Sequence, residues 1–386
     1  MPRSLCATVA VAALLTGPQT GAPALAQSPG YQVEILAEGL NRPWGMAFLP
    51  NGRDIVMTAR GGTLSIWRAD TGAITTIDGA PDVAAAGQGG LLDIALAPGF
   101  ADTGTVFLTW SGAVAGGTTT HLGRATLDPD AATLRDIEVL LRVRPAIDSP
   151  AHYGARIVIH DGHVFMGTGD RNSKAFGPDH IAQDVSSENG AVVRLALDGS
   201  VPGDNPLVGR DGAAPAIWSW GHRNIQAMAV RPGTDEVWLA EHGESGGDEI
   251  NRVVRGGNFG WPLASYGVDY RTGQPFADPH RPGDGFVAPL YHWGPGRDDN
   301  FPPSGMAWVT GEAFAQWEGH LLVGNLRHRY LGLFPVDGDT VSDPIRLLEG
   351  RGWRIRDVAV GPADGFIYVL ADGEGAPLLR LVPSDG

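Results

Sequence analysis

A strand–turn–strand unit recurs six times along this chain, and the repeat restricts the fold more than any other feature. Each unit has a short apolar strand, a turn with Pro, Gly or Asp, and a second alternating strand. The units lie roughly 50 to 80 residues apart, a loose period typical of propeller blades with insertions. Their first strands begin at or near Trp44, Leu92, Arg156, Gln226, Gly305 and Arg356. Since six hairpins around an axis bury the apolar face that each alone would expose, we expect an all-β, six-bladed β-propeller. An irregular β-sandwich is the alternative.

The composition agrees with an all-β chain. The 386 residues include 56 Gly and 29 Pro, a density that produces many turns and short strands. Helical periodicity is weak, which argues against a doubly wound α/β fold with helices between its strands. Two long insertions, 110–150 and 256–300, are expected to be ordered loops on the face that carries the active site, because sites concentrate on loops held by a rigid scaffold.

The first 26 residues have the pattern of a secretory signal peptide. Arg3 precedes an apolar run from Leu5 to Leu15, and Ala24–Ala26 predicts cleavage before Gln27. Residues 1–26 are therefore expected to be a signal peptide, and residues 27–386 a single propeller domain in the periplasm or outside the cell. The only cysteine, Cys6, lies in the leader, so the mature chain has no disulfide. No later run is long enough to span a membrane, and we expect a monomer or weak oligomer.

The charge distribution excludes some partners and suggests another. The formal net charge is −15, and Lys174 is the only lysine, so nucleic acid and anionic membranes are poor partners. Arginines nevertheless recur next to the predicted first and second strands of the hairpins, at the strand ends that border the axial mouth of a propeller. They are Arg223 (followed by Asn224), Arg327, Arg354 and Arg356. Four guanidinium groups on one rim would repel one another unless a multiply anionic ligand neutralised them, which favours a small polycarboxylate or phosphate.

Two further segments carry chemistry. His152 precedes the third hairpin and Asp170 follows its second strand, so both are expected at the same rim, where a carboxylate behind an imidazole would fix its tautomer and raise its basicity. The Gly-rich, acidic run Gly243–Glu249 offers the hard oxygen ligands that calcium prefers. An acidic surface turn is the alternative for this run.

These segments together resemble the soluble PQQ-dependent aldose sugar dehydrogenases, the glucose/sorbosone dehydrogenase family. The similarity spans about residues 33–383. The matching stretches are Gly87–Leu92, His152–Arg156, Gly169–Arg171, Trp220–Asn224, Gly247–Asn251, Gly257–Pro262 and Arg354–Asp357.

The resemblance implies a role for each candidate residue. His152 would take the proton from the sugar C1 hydroxyl, and Asp170 would orient it. The cofactor-binding residues would be Gln88, Arg223, Asn224, Tyr270, Arg327, Arg354 and Arg356. Calcium beside the cofactor would be bound by carbonyls of Gly243 and Glu244, and a second calcium by Glu249 and the Phe259 carbonyl.

Three positions depart from the family pattern. Arg327 replaces a lysine, Glu244 replaces a proline, and Ala151 replaces the aspartate that precedes the histidine in glucose-specific members. The last change implies broad aldose use. The resemblance thus implies PQQ-dependent oxidation of aldoses at C1 to aldonolactones by hydride transfer, with electrons passed to an external acceptor. A calcium-dependent lactonase and a non-catalytic secreted propeller without a buried His-Asp pair are the competing functions.

Overall fold

The computed structural model describes residues 1, 30–296 and 300–384. The predicted signal peptide, residues 1–26, lies outside the described residues apart from Met1. Within the described ranges the chain is almost entirely β-strand and turn. The helical segments there are α1 (Phe100–Thr103) and two single 3-10 turns, Ile181–Gln183 and Ala315–Trp317.

Among the described residues, six four-stranded antiparallel sheets confirm the predicted six-bladed propeller. After β1 (Tyr31–Asn41), blade 1 is β2 (Pro43–Phe48), β3 (Ile55–Ala59), β4 (Thr63–Trp67) and β5 (Ile74–Ile77). Blade 2 is β6 (Leu91–Leu96), β7 (Thr105–Val114), β8 (Gly117–Asp128) and β9 (Thr133–Arg142). Blade 3 is β10 (Gly154–His160), β11 (His163–Thr168), β12 (Ala191–Ala196) and β13 (Ile217–Trp220).

The second half of the chain builds the other three blades. Blade 4 is β14 (Ile225–Val230), β15 (Val237–Glu241), β16 (Glu249–Arg252) and β17 (Tyr291–His292). Blade 5 contains β18 (Pro303–Trp308), β19 (Leu321–Asn325), β20 (Leu331–Phe334) and, after the small hairpin of β21 (Val336–Asp337) and β22 (Thr340–Val341), β23 (Ile345–Leu347). Blade 6 is β24 (Arg354–Val360), β25 (Ile367–Asp372) and β26 (Glu374–Pro383), completed by β1.

Each predicted hairpin forms the first two strands of a blade. They are β2–β3, β6–β7, β10–β11, β14–β15, β18–β19 and β24–β25. The ring closes as the alternation of residues 31–39 predicts, with Val33 opposite Leu381 and Ala37 opposite Leu378. This pairing removes the edge that the last blade would otherwise expose.

The prediction that insertion 110–150 is a loop is wrong. The segment contains the end of β7 and the whole of β8 and β9, which complete blade 2. The threonines in β8 have polar side chains, which are usually exposed, yet Thr119 and Thr120 are each 1% exposed. Their hydroxyls donate to the carbonyls of Val143 and Tyr153, so the polar groups are satisfied inside the sheet. The other insertion, 256–300, is mostly irregular over its described part, as predicted.

A buried ion-pair network joins the first strands at the axis. Nη1 of Arg156 lies 3.1 Å from Oδ1 of Asp93 and 3.0 Å from Oδ1 of Asp357. The other oxygen of each carboxylate accepts a backbone N–H from the next blade, from Ile157 at 2.8 Å and from Met46 at 2.9 Å. The Arg156 Nε–H donates to the Gln226 carbonyl at 3.2 Å, so the network links blades 1, 2, 3, 4 and 6.

Blade 5 meets the same network through close packing. A Cβ on Gly305 would lie 2.0 Å from Oδ1 of Asp357, so only glycine lets β18 approach this carboxylate. All six blades therefore meet around the three axial side chains Asp93, Arg156 and Asp357.

We expect Arg156→Met to destabilise the protein by about 3–5 kcal/mol, because two buried carboxylates lose their shared cation. The free energy of unfolding from urea denaturation measures the loss. Arg135→Met is the matched control, since Arg135 is exposed and its nearest carboxylate, Asp136, is exposed as well. Equal stabilities of the two variants would contradict an axial role for Arg156.

Candidate active site

A cavity of about 600 Å³ opens at one end of the propeller axis. Its walls come from segments that precede the first strand or follow the second strand of the blades, and from the loops after β11 and β16. Nine of the predicted site residues line it: Gln88, His152, Arg223, Gly243, Glu244, Tyr270, Arg327, Arg354 and Arg356. The repeat therefore brings together residues that are far apart in sequence.

His152 and Asp170 form a buried pair in the wall of the cavity. His152 Nδ1 lies 2.7 Å from Oδ1 of Asp170, and the two side chains are 7% and 0% exposed. Oδ2 of Asp170 accepts from the Trp261 indole N–H at 2.9 Å, and Oδ1 also accepts the Asn172 backbone N–H at 2.8 Å. With Nδ1–H donating to Asp170, Nε2 is the imidazole nitrogen available to a ligand.

The electrostatics keep this pair as a neutral imidazole and a carboxylate. Burial lowers the pKa of His152 below its usual value, and the positive charge of Arg223 lowers it further, while Asp170 opposes both. Burial alone would raise the pKa of Asp170, but the charge and hydrogen bond of His152, together with Arg223, hold that pKa below its usual value. His152 is therefore an unprotonated base near neutral pH.

The backbone around His152 is held in a strained conformation. Its φ is 51°, in the left-handed region that a histidine rarely adopts. The His152 N–H donates to Oε1 of Gln88 at 2.8 Å, and a Cβ on Gly169 would lie 2.2 Å from the His152 carbonyl oxygen. Gln88 thus positions the imidazole through its backbone, and the close approach of Gly169 leaves no room for another side chain.

The arginines meet at the mouth, but the predicted uncompensated repulsion among them is wrong. Oδ2 of Asp372 lies 3.1 Å from Nη2 of Arg354 and 3.1 Å from Nη2 of Arg356. Arg223 Nη2 lies 2.5 Å from Oε2 of Glu244. Arg327 is exposed and has no ion pair among the described residues. The carboxylates that offset these cations, Asp372 at the end of β25 and Glu244 in the turn after β15, lie on other segments of the chain and were not predicted to pair with them.

Asn224 does not line the cavity. Its side chain is buried behind the wall, where Oδ1 accepts the Gly154 N–H at 3.2 Å and Nδ2 lies 3.5 Å from Nδ1 of His242. It supports the turn that carries His152 rather than facing the space that a ligand would fill.

Several residues in or next to the cavity wall were not predicted from the sequence. Arg60 follows β3 and His242 follows β15, and both line the cavity. Asp372 ends β25 and pairs with two of the lining arginines. All three lie at or just after the second strand of a hairpin, as Asp170 and Arg327 do. Extending that positional rule to every blade would have found them. His242 is neutral, because burial lowers its pKa to about 3, and its Nε2–H donates to the Pro303 carbonyl at 2.7 Å.

The acidic turn beside the cavity places its carboxylates in different surroundings. The Glu244 side chain is 1% exposed and faces Arg223 and Lys174. Asp248 closes the turn, since its two oxygens accept the Gly243 N–H at 3.0 Å and the Phe301 N–H at 2.8 Å. Burial raises the pKa of Asp248 to about 6.

Glu249 and Phe259 lie behind this turn, at a separate small pocket that also touches Gly243. Burial raises the pKa of Glu249 well above its usual value, and the nearby Glu241 carboxylate raises it further. The Phe259 carbonyl accepts from His280 Nε2 at 3.0 Å. Within the part of the chain that the structure describes, no group of three or more His, Cys, Asp or Glu side chains is arranged to hold a metal ion.

Known proteins are similar to this chain in sequence and in architecture. The sequence profile of the Glucose / Sorbosone dehydrogenase family matches residues 40–380. Aldose sugar dehydrogenase YliI of Escherichia coli K12 is 39% identical over 91% of this chain and 92% of its own. The crystal structure of the soluble aldose sugar dehydrogenase from E. coli, in the apo form, superposes with a TM-score of 0.85 at 37% identity, covering 92% of this chain and 100% of that one.

A PQQ-bound relative extends the comparison to a cofactor. The PQQ-bound aldose sugar dehydrogenase of Streptomyces coelicolor superposes with a TM-score of 0.73 at 28% identity, covering 92% of this chain and 99% of that one. Among the described residues of the present chain, no helix is both long and apolar enough to cross a membrane. Sequence and architecture agree over nearly the whole propeller, and the chain belongs to the glucose/sorbosone dehydrogenase family.

Proposed function

We propose that this protein is a PQQ-dependent aldose dehydrogenase that oxidises sugars at C1 to aldonolactones and passes the electrons to an external acceptor. The observation that carries the proposal is the buried His152–Asp170 pair, which faces a cavity surrounded by guanidinium groups. A non-catalytic propeller does not require such a pair. A lactonase requires a metal and water, and it gives no reason for arginines on every side of the cavity.

The cavity residues fit an anionic, planar cofactor. Arg60, Arg223 and Arg356 each have a buried Nε–H without an acceptor among the described residues, and all three line the cavity. Unsatisfied donors of charged groups bind carboxylates strongly. PQQ bears three carboxylates, and Arg223, Arg327, Arg354 and Arg356 would bind them, with Gln88 and Tyr270 in the same wall. Asn224 would support that wall from behind.

His152 would serve as the general base. When bound, PQQ supplies an ortho-quinone that accepts the hydride from C1, and calcium adds Lewis acidity at that quinone. The Nε2 atom of His152 takes the proton of the C1 hydroxyl, and Asp170 holds Nδ1–H and stabilises the imidazolium that forms. A base in this position contributes roughly 10²–10⁴-fold to the rate.

Two calcium sites complete the proposal. Gly243 and Glu244 border the cavity and would bind the calcium beside the cofactor. Glu249 and the Phe259 carbonyl would bind the second, where a divalent cation would relieve the crowding of two buried carboxylates, Glu241 and Glu249. Both are oxygen donors of the kind that calcium prefers.

Substrate range and location follow from smaller features. Ala151 places a methyl group beside His152 where glucose-specific relatives carry a carboxylate, so we propose that several aldoses are accepted. The apolar run of residues 5–15 supports export to the periplasm or medium. We propose that the enzyme acts there as a monomer or weak oligomer.

We expect His152→Ala to lower kcat by roughly 10²-fold or more while PQQ binding is retained, because the base is lost and the arginines remain. A PQQ titration and steady-state dye reduction measure the two quantities. His160→Ala is the control, since His160 ends β10 beside the β10–β11 turn, where its Nε2 is 3.4 Å from Asp235. Near-normal turnover of His152→Ala at full PQQ occupancy would remove His152 from the mechanism.

The pH profile should reflect the lowered pKa of His152. A base acts only above its pKa, so kcat/KM should stay level as the pH falls through 7 and decline only below about 6.5, the ordinary value for histidine. Asp170→Asn removes a charge that raises this pKa, so the decline should move to still lower pH, with a lower plateau because the imidazole loses its orienting partner. A decline that begins above pH 7 in the wild-type protein would contradict a neutral buried base.

Arg356→Ala and Arg354→Ala should each weaken PQQ binding by about 10- to 100-fold, because a charge-assisted contact is lost. Both should also lower the melting temperature of the apo-protein, since Asp372 loses a partner. Arg356→Ala should cost more, because the Arg356 side chain is 6% exposed and that of Arg354 is 42% exposed. Arg346→Ala, which removes an exposed pair with Glu349, is the control for stability. An unchanged PQQ affinity in both variants would refute this placement of the cofactor.

A further inference from the structure

The only lysine of the chain contacts the buried carboxylate of the proposed calcium turn. Lys174 Nζ lies 2.7 Å from Oε1 and 2.6 Å from Oε2 of Glu244. Arg223 Nη2 lies 2.5 Å from Oε2 of the same carboxylate. Both oxygens of Glu244 are therefore held by cations supplied by the chain itself.

The two cations differ in how firmly they are fixed. The Arg223 side chain is 5% exposed, its Nη1 donates to the His242 carbonyl at 3.2 Å, and its guanidinium lies 5.2 Å from the centre of the Trp261 ring. Its backbone N–H donates to Glu241 at 2.6 Å.

Lys174 is held far less firmly. It lies on the loop after β11, its side chain is 35% exposed, and apart from Glu244 its ammonium faces the rings of Phe176 at 5.9 Å and Tyr270 at 5.7 Å. Lys174 is the cation that can move into solvent without breaking the wall of the cavity.

Glu244 and Asp248 both line the cavity, and the Glu244 carboxylate is the one whose oxygens are bound by side-chain cations. Asp248 uses its oxygens for the N–H groups of Gly243 and Phe301. Glu249 faces the separate pocket behind the turn. A divalent cation bound by the Gly243 and Glu244 carbonyls would add the nearby Glu244 carboxylate as a ligand. It would then compete with the ammonium, since two cations on the same oxygens repel.

We propose that Lys174 is an internal counter-ion that calcium displaces from Glu244, so that this residue sets the calcium affinity beside the cofactor. The inference rests on the calcium site of the proposed function. Exchanging an ammonium for a divalent ion adds one positive charge at the cavity wall. Calcium binding and the binding of an anion in the cavity therefore favour each other, and the coupling is reciprocal.

The test is a calorimetric titration of the apo-protein with calcium chloride, in the Glu249→Gln background so that the second proposed site does not contribute. Lys174→Met should bind calcium at least about 10-fold more tightly, because the competing charge-assisted contact is gone. Lys174→Arg keeps a cation in place and should stay near the starting affinity. In the Glu244→Gln background the effect of Lys174→Met should vanish.

Arg271→Met is the matched control for charge alone. Arg271 lines the same cavity, but its guanidinium pairs with Asp269 at 2.7 Å and not with Glu244. Its removal should change the calcium affinity far less than removal of Lys174. An equal effect of both substitutions would show general electrostatic repulsion and would overturn the specific exchange.

The single lysine allows a second, direct measurement. Reductive methylation with ¹³C-formaldehyde keeps the charge and labels only Lys174 and the α-amino group, which the Lys174→Arg variant distinguishes. Saturating calcium should move the Lys174 methyl signal to its position in Glu244→Gln, where the contact is lost.

An unmoved methyl signal, or an unchanged calcium affinity in Lys174→Met, would overturn the proposal. So would an absence of calcium binding in both proteins. Neither measurement uses PQQ or sugar, so a chain that shows the exchange but oxidises no aldose would refute the proposed function and leave this inference standing.

Discussion

The propeller depends on one buried guanidinium, that of Arg156, which holds the carboxylates of Asp93 and Asp357 at the axis. Six first strands converge there, and their buried backbone groups need hydrogen-bond partners. The two carboxylates accept N–H groups from neighbouring blades, and glycine at Gly305 allows the last approach. The same strands carry the site: His152 lies four residues before Arg156, and Arg354 lies three before Asp357. The ion pairs that hold the first strands at the axis therefore also set the positions of the site residues at the mouth of the cavity.

The charges of the mouth follow a second constraint. An arginine-rich wall in a cofactor-free protein would repel itself, and here four of its cations share two carboxylates. Asp372 pairs with Arg354 and Arg356, and Glu244 pairs with Arg223 and Lys174. A ligand carboxylate does not enter an uncompensated positive field. It competes with internal anions for the remaining donors, such as the Nε–H groups of Arg223 and Arg356, which have no acceptor in the part of the chain that the structure describes. Affinity then depends on how readily the internal pairs exchange.

The sequence predicted the structure correctly where the evidence lies within one short segment, such as the alternation of a hairpin or the residues next to it. The alternation of apolar and polar residues in the six hairpins predicts six blades, and the same alternation in residues 31–39 predicts the closing strand. A shift of one residue in strand pairing would expose the apolar face, so the alternation also determines the register. His152 and Asp170 were found because both adjoin the third hairpin. Segment 110–150 was predicted to be a loop, yet Thr119 and Thr120 are buried in a sheet, where their hydroxyls donate to backbone carbonyls. Asp372 and the side chain of Glu244 were missed because their partners lie on other elements. Asn224 was predicted to bind the cofactor but does not line the cavity, because an Arg-Asn motif does not tell which of the two adjacent side chains faces it.

The most direct test of the account is a single turnover without any electron acceptor. The apo-protein is loaded with one equivalent of PQQ and calcium, then mixed with glucose carrying protium or deuterium at C1, while the quinone absorbance and the lactone are followed. The account predicts one lactone per bound PQQ, reduction of the quinone in step with it, and slower reduction with the deuterated sugar, since hydride leaves C1. Lactone formed beyond the quinone supplied, or a bound quinone that stays oxidised in the presence of every aldose, would contradict it.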